Sequence, residues 1–261
     1  MVRREPIQSE AAVLDRQSTP AAPSPRGPQA SGWGRPLALA ALLTLLLLAS
    51  APFAVYAAVF GVRGLLVDLS SESRLFLPWT AIAAVGANIA ISAHMLGGAV
   101  ITFLALIQPI GALRRRFPQL HRIGGRVFLV GAALSALGGL LFIALRGTIG
   151  GPVMDLGFAA YGVCVLVAAS GAVRAARRGD LQAHWRWALR AIVLALGSWI
   201  YRLHYGAWYL TTGGLGSAPD FSGPFDQINI FAFYVPYLLA VELYLSRRDA
   251  HARAQGSRAV R

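Results

Sequence analysis

Long apolar segments, joined by short connections of which several are rich in arginine, constrain the fold of this chain more than any other feature. Apolar residues make up 56% of its 261 residues and charged residues only 13%, which is outside the range of ordinary soluble domains. A helix that spans a bilayer needs about 20 consecutive, mostly apolar residues. The sequence therefore predicts an all-α, polytopic membrane helix bundle.

Six segments are predicted as transmembrane helices within residues 36–246. They cover residues 36–62, 77–110, 127–145 and 155–175, a fifth segment that ends near residue 210, and residues 228–246. We expect the first helix to be an uncleaved anchor, and cleavage at Ala49-Ser50-Ala51 is the alternative. The polar residues 1–35 are predicted as a disordered cytoplasmic tail, and residues 247–261 as a basic cytoplasmic tail.

The positions of the arginines predict the orientation of the bundle. All 24 basic residues are arginine, and 20 of them lie in four stretches with five in each, namely residues 1–35, 111–126, 174–190 and 247–261. The other four are Arg63, Arg74, Arg146 and Arg202. The positive-inside rule then predicts a multi-pass protein of the cell membrane with both termini cytoplasmic. Anionic lipid headgroups at that face, rather than nucleic acid, are the expected partners of the basic connections.

Ionisable side chains within the apolar segments are the candidate functional residues, because such groups are costly in a bilayer and usually face the bundle interior. His94 precedes Arg114 by 20 residues and Arg202 follows Arg186 by 16. At about 1.5 Å per residue, both lie roughly 24 to 30 Å from the cytoplasmic rim. They form the predicted outer level of the site. The predicted inner level, at the rim itself, consists of His121, Arg122, Arg126, His184 and Arg190.

Small residues on the fifth segment predict which of its faces points inward. Residues that recur every three or four positions form a stripe along one face of this segment. The stripe consists of His184, Ala188, Ala191, Ala195, Ser198, Arg202 and Gly206. Small residues at this spacing let membrane helices approach closely, so we expect this face to point into the bundle. His204 is two residues beyond Arg202, about 160° around the helix, and is predicted to face another direction.

Several of these motifs in combination resemble a family of bacterial membrane proteins called domain of unknown function 2306. The motifs are His94 followed by small residues, H-R-I-G-G-R at 121–126, Gly157-Phe158, H-W-R-W-A-L-R at 184–190, and Arg202. The resemblance covers less than half of the chain. It implies a four-helix core made by predicted helices 2 to 5, with polar residues at His94, His121, Arg122, Gly125, Arg126, His184, Arg190 and Arg202. Ala188 departs from the family pattern, in which a methionine is expected.

Two functions and one structural role remain open at this stage. A buried guanidinium without an acidic neighbour in the sequence favours a small anion or a lipid headgroup as ligand. The alternative is a b-type haem for electron transfer, ligated by His121 with His184 or by His94 with His204. The structural role is a hydrogen-bond network that fixes helix register. The sequence contains no phosphate-binding glycine loop, nucleophile elbow or H-E-x-x-H motif, so no catalytic or metal-ligating residue is assigned.

Overall fold

The computed structural model describes residues 34–259, with side chains from 37 to 255. Most of the predicted N-terminal tail, residues 1–33, lies outside the described part. Nine helices make up the secondary structure of that part: α1 Gly34–Leu66, α2 Ile82–Ile107, α3 Gly111–Arg116, α4 Pro118–Arg146, α5 Gly151–Arg177, α6 Leu181–Ala195, α7 Gly197–Thr212, α8 Pro224–Ala232 and α9 Val235–Ala259. Residues 42–261 belong to one compact unit, and the packing below concerns that unit.

Five stretches are long and apolar enough to cross a membrane, which confirms the predicted all-α membrane bundle. They are Leu37–Leu66, Ile82–Ile107, Pro118–Arg146, Gly151–Arg177 and Pro224–Gln255. The remaining predicted span corresponds to α6 and α7, which have 15 and 16 residues and are each too short to count alone. The count of six spans therefore stays a prediction. Residues 247–259, predicted as part of a tail, continue α9 as a helix.

The interruption between α6 and α7 has an identifiable cause in the neighbouring helix. Tyr161 of α5 donates a hydrogen bond from its hydroxyl to the carbonyl of Leu194, an oxygen that a continuous helix would use internally. Gly197 adjoins the same ring, and a Cβ at that position would lie 2.8 Å from the Tyr161 hydroxyl. Tyr161 therefore bonds to and packs against the junction of α6 and α7.

The core lies where α2, α4, α5 and α6 meet, as the predicted four-helix core requires. Its buried side chains come from all four helices and from the junction of α8 and α9: Ile101, Ala105, Phe128, Ala132, Ala136, Val165, Ala168, Ala169, Ala191, Leu194, Ala195, Phe233 and Tyr234. Helices α2 and α4 pack most closely because glycines replace side chains at their contact. A Cβ on Gly138 would lie 2.5 Å from the Ala90 carbonyl oxygen, and one on Gly97 would lie 2.7 Å from that of Gly131.

The connection between α1 and α2 is anchored to the bundle rather than left free. Asn88 of α2, which is buried, accepts from the Leu77 N–H at 2.9 Å and donates to the Leu77 carbonyl at 2.7 Å. Phe76 is also buried, against α1 and α2. The Ser70 N–H donates to Asp68 at 2.9 Å, which holds the pKa of that carboxyl below its ordinary value. This ordered connection forms one wall of the site described next.

Candidate functional site

A cavity of about 850 Å³ opens into the bundle at the end opposite the arginine-rich connections. Its walls come from α1, α2, α4, α5, α6 and α7, and its mouth is framed by the α1–α2 connection, residues 147–149 and Phe221. His94 and Arg202 both line it, together with Ser135, Ser198, Tyr161 and Tyr201. The structure therefore brings together the two residues that form the predicted outer level.

His94 is fixed in orientation by α4. Its Nδ1 lies 2.8 Å from the Ser135 carbonyl oxygen, which can only accept, so Nδ1 carries the proton and donates it. The Ser135 hydroxyl donates in turn to the His94 carbonyl at 3.0 Å. Space for the ring comes from Gly139, where a Cβ would lie 2.9 Å from Nδ1. The neutral ring therefore keeps its second nitrogen, Nε2, as an acceptor.

Arg202 lies in the same cavity and has few partners within the protein. Its Nη1 donates to the Ser198 carbonyl one turn earlier at 2.9 Å, and its guanidinium lies 4.4 Å from the centre of the Phe53 ring of α1. The Arg202 side chain is exposed rather than buried, and it lines the cavity. Among the described residues, Arg202 has no carboxylate partner.

The lining of the cavity is positively charged and contains no acidic side chain among the described residues. Besides Arg202 and His94 it includes Arg74 and Arg146, which lie at the mouth. Neither of these two pairs with a carboxylate in the described part of the chain. Arg63, the fourth arginine outside the basic stretches, pairs with Glu72 at 2.8 Å and does not line the cavity. Three unpaired cations thus share one cavity.

A chain of hydrogen bonds links the cavity to a buried carboxylate that the sequence analysis missed. Tyr201, which lines the cavity, donates from its hydroxyl to Tyr205 at 3.3 Å, and Tyr205 donates to Asp226 at 2.6 Å. Asp226 is 0% exposed and also accepts from Ser217 Oγ and the backbone N–H groups of residues 218 and 223. These hydrogen bonds hold the loop that contains Phe221 against α8.

Phe221 stands out in that loop because of its backbone. Its φ of 61° makes it the one non-glycine residue of the described chain in the left-handed region, where a bulky side chain is strained. The ring packs edge-on against Tyr205, at 5.8 Å between centroids, and lines the mouth of the cavity. The hydrogen bonds to Asp226 supply the constraint that holds this conformation.

The predicted inner level lies at the arginine-rich end, apart from the cavity. His184 Nδ1 donates to the Ala172 carbonyl at 2.9 Å, and His121 lies within electrostatic reach of His184. With its amide oriented to satisfy both groups, Gln108 donates to His121 Nδ1 at 2.9 Å and accepts from the Gly125 N–H at 3.0 Å. His121 and His184 therefore both lie at the arginine-rich end of the bundle.

The arginines predicted for the inner level have different surroundings. Arg122 is exposed and donates to the Pro118 carbonyl of its own helix at 3.4 Å, and Arg126 is exposed. Arg190 forms a two-point ion pair with Glu242 of α9, at 2.6 and 2.7 Å, and lies over the Trp187 ring. Arg186 pairs with Asp249 through a single nitrogen, Nη1, which donates to both carboxylate oxygens at 2.8 and 2.7 Å. The two ion pairs join α6 to α9.

His204 faces away from the cavity, as its position on the helix predicts. Its Nδ1 lies 2.8 Å from Asn229 Oδ1, and its Nε2 lies 2.9 Å from the Tyr237 hydroxyl. Both nitrogens are therefore occupied by contacts with α8 and α9. The structure does not bring His94 and His204 together as a pair.

Comparison with known families agrees with this architecture. The family described as "Predicted membrane protein (DUF2306)" matches residues 91–243, more than half of the chain. The chain belongs to this family. The match begins within α2 and ends in α9, so it contains His94, Arg202, most of α2 and the whole of α4, α5 and α6. No curated protein and no solved structure gave a match in the same comparisons.

Some residues of the cavity could have been recognised from the sequence and others could not. Arg74 and Arg146 stand out as two of the few arginines outside the basic stretches, and that sparsity was the available signal. Asp226 and Tyr161 gave no such signal, because a single acidic or aromatic residue in a loop or helix has many ordinary roles. Only the packing of the helices reveals what these two side chains contact.

Proposed function

We propose that this membrane protein binds an anionic ligand inside the cavity, with Arg202 as the principal contact. The observation that carries the proposal is the charge of the lining, which includes Arg202, Arg74 and Arg146 but no acidic side chain among the described residues. An arginine costs about 2.5 to 3.5 kcal/mol on insertion scales at the centre of a membrane helix, and less toward the outer level where Arg202 lies. An anion in the cavity would offset that cost, because a guanidinium and a carboxylate or phosphate attract strongly where water is excluded.

The geometry of the two polar groups suits a carboxylate or a phosphate. One N–H of Arg202 is used by the Ser198 carbonyl, and the rest of the planar guanidinium can form paired hydrogen bonds to two ligand oxygens. His94 Nε2 accepts a hydrogen bond when the ring is neutral and donates one when the ring is protonated. His94 can therefore contact either a protonated or an ionised oxygen of the same ligand.

The haem alternative receives less support from the hydrogen bonds. A histidine that ligates a metal almost always donates its other ring N–H to an acceptor. Gln108 donates to His121 Nδ1, so a neutral His121 keeps its proton on Nε2, the nitrogen that a haem iron would need. His204 uses both nitrogens in contacts with Asn229 and Tyr237. These contacts favour the anion proposal over the haem proposal.

We also propose that the arginine-rich end faces the cytoplasm, where its arginines meet anionic headgroups, and that the cavity opens on the other side. The positive-inside rule supports this orientation. Helices α6 and α7 would then act together as one broken span of a six-span protein with both termini cytoplasmic. Reporter fusions at residue 215 and at the C-terminus should report opposite sides of the membrane. The same side for both would contradict the orientation.

The anion proposal is tested by thermal unfolding of the full chain in a neutral detergent. Inorganic phosphate, acetate and dodecanoate are each added to the parent, to Arg202→Leu and to Arg63→Gln. An anion at about 100 times its Kd would stabilise the folded state by about 2.7 kcal/mol. We expect at least one of the three to raise the unfolding temperature of the parent and of Arg63→Gln but not of Arg202→Leu. Equal shifts in all three proteins, or no shift in any, would overturn the proposal.

A further inference from the structure

We infer that the ligand of the cavity is an anionic amphiphile, in which a carboxylate or phosphate is joined to an apolar chain. The inference rests on the proposed anion site and specifies its ligand class. The cavity, at about 850 Å³, is within the usual range of roughly 300 to 1,000 Å³ for sites that hold drug-sized molecules. An inorganic anion at Arg202 would occupy only a small part of that volume.

The cavity extends well beyond the level of its inner charged groups. On α2, Ile101 lines it seven residues past His94, which corresponds to about 10 Å along the helix. On the α6–α7 pair, Ala195 lines it seven residues before Arg202, again about 10 Å in the direction away from the mouth. Lining residues on two separate walls therefore extend the cavity by a similar distance past His94 and Arg202, on the side away from the mouth.

The side chains at this deep end are apolar. Ile101, Val165 and Ala195 line it, and all three belong to the buried core of the bundle. The Tyr161 hydroxyl, which also belongs to the lining, is already bonded to the Leu194 carbonyl. A space with such walls gives water few partners and is filled favourably by hydrocarbon. The distribution of charge and apolar surface thus matches a molecule with an anionic head and an apolar tail.

Arg74 and Arg146 give the mouth a positive charge that would attract such a molecule. The anionic head then passes to Arg202, and the tail enters the deep end. Both a free amphiphile from the aqueous phase and an anionic lipid from the adjacent leaflet have this chemistry. The two sources differ in the number of chains and in the route of entry, and experiments can separate them.

Binding of a graded series of ligands tests the inference on the full chain in neutral detergent. The series comprises acetate, octanoate, decanoate and dodecanoate, with dodecanol as the uncharged control. We expect affinity to rise about fourfold with each buried methylene until the deep end is full. Dodecanol should bind roughly tenfold or more weakly than dodecanoate, because it makes no charge-assisted bond to Arg202. Arg202→Leu should remove the preference for the anion, whereas Arg63→Gln should keep it.

A photoreactive fatty acid with a diazirine at the end of its chain locates the tail independently of partition into micelles. Labelling should fall on peptides that contain Ile101, Val165 or Ala195, and should decrease in Arg202→Leu. Labelling confined to lipid-facing residues of α1 would overturn the inference. Stronger competition by short-chain anionic lipid in nanodiscs than by dodecanoate would identify a membrane lipid as the source, and the reverse would identify a free amphiphile; either supports the inference.

The two levels of the proposal fail in different ways. If acetate and dodecanoate bind equally and both depend on Arg202, the cavity is an anion site and the amphiphile inference is wrong. If dodecanoate and dodecanol bind equally in the parent and in Arg202→Leu, both the amphiphile inference and the anion proposal are wrong. Arg202→Lys is the second variant, used in case Arg202→Leu does not fold. It keeps the charge and should retain part of the preference for dodecanoate over dodecanol.

Discussion

The two ends of the bundle use arginine in opposite ways. At the arginine-rich end, Arg186 and Arg190 form ion pairs with Asp249 and Glu242, and these pairs join α6 to α9. In the cavity, Arg202, Arg74 and Arg146 have no carboxylate partner among the described residues. A paired arginine stabilises the fold, and an unpaired one in a cavity is available to a ligand. Partner and location, more than residue type, distinguish the ion-paired arginines from those that we propose bind a ligand.

The largest effect on stability is expected for Asp226→Asn at the cavity end. The Asp226 carboxylate is fully buried and accepts hydrogen bonds from two hydroxyls and two backbone N–H groups. An amide at this position turns an NH₂ group toward donors, which costs about 2 kcal/mol or more. Thermal unfolding should show a clear loss against Asp220→Asn, an exposed carboxylate of the same loop. Equal stability of the two variants would mean that the loop is held by other contacts.

A smaller loss is expected for Arg190→Gln at the opposite end. The side chains of Arg190 and Glu242 are 16% and 46% exposed, so solvent screens the pair in part and its loss should cost about 1 kcal/mol. Arg178→Gln, which removes an exposed charge at the same end, is the matched control. Anion binding in the cavity should be unchanged in both variants. Loss of binding in Arg190→Gln alone would break the distinction between the two ends.

Sequence reasoning predicted the membrane class, the family and a common level for His94 and Arg202, which line one cavity, because apolar length, motif combination and helical periodicity carry that information. It did not predict the break between α6 and α7, since the Tyr161 contact that causes it joins residues more than 30 positions apart. It placed Arg190 at the inner level, where its role as a ligand contact stays a prediction, and the geometry of its ion pair with Glu242 depends on how α6 and α9 pack. Tertiary contacts between distant helices were the missing information.

The smallest effect is expected from haem supplementation. Protein expressed with ample haem and then purified should show no sharp b-type band in a reduced-minus-oxidised spectrum. The reason is that His121 accepts from Gln108 through Nδ1 and His204 is engaged through both nitrogens. A stoichiometric band would instead favour electron transfer. Its loss in His184→Ala but not in His94→Ala would assign the haem to the arginine-rich end.

The most direct test of the central claim supplies the missing carboxylate from the protein itself. Ser198 lines the cavity one helical turn before Arg202, and a glutamate N-terminal to an arginine at this spacing forms a favourable ion pair. Ser198→Glu should raise the unfolding temperature of the ligand-free protein and abolish dodecanoate binding, whereas the uncharged Ser198→Gln should retain binding. If Ser198→Glu binds dodecanoate as tightly as the parent does, Arg202 is not the anion site and the account is wrong.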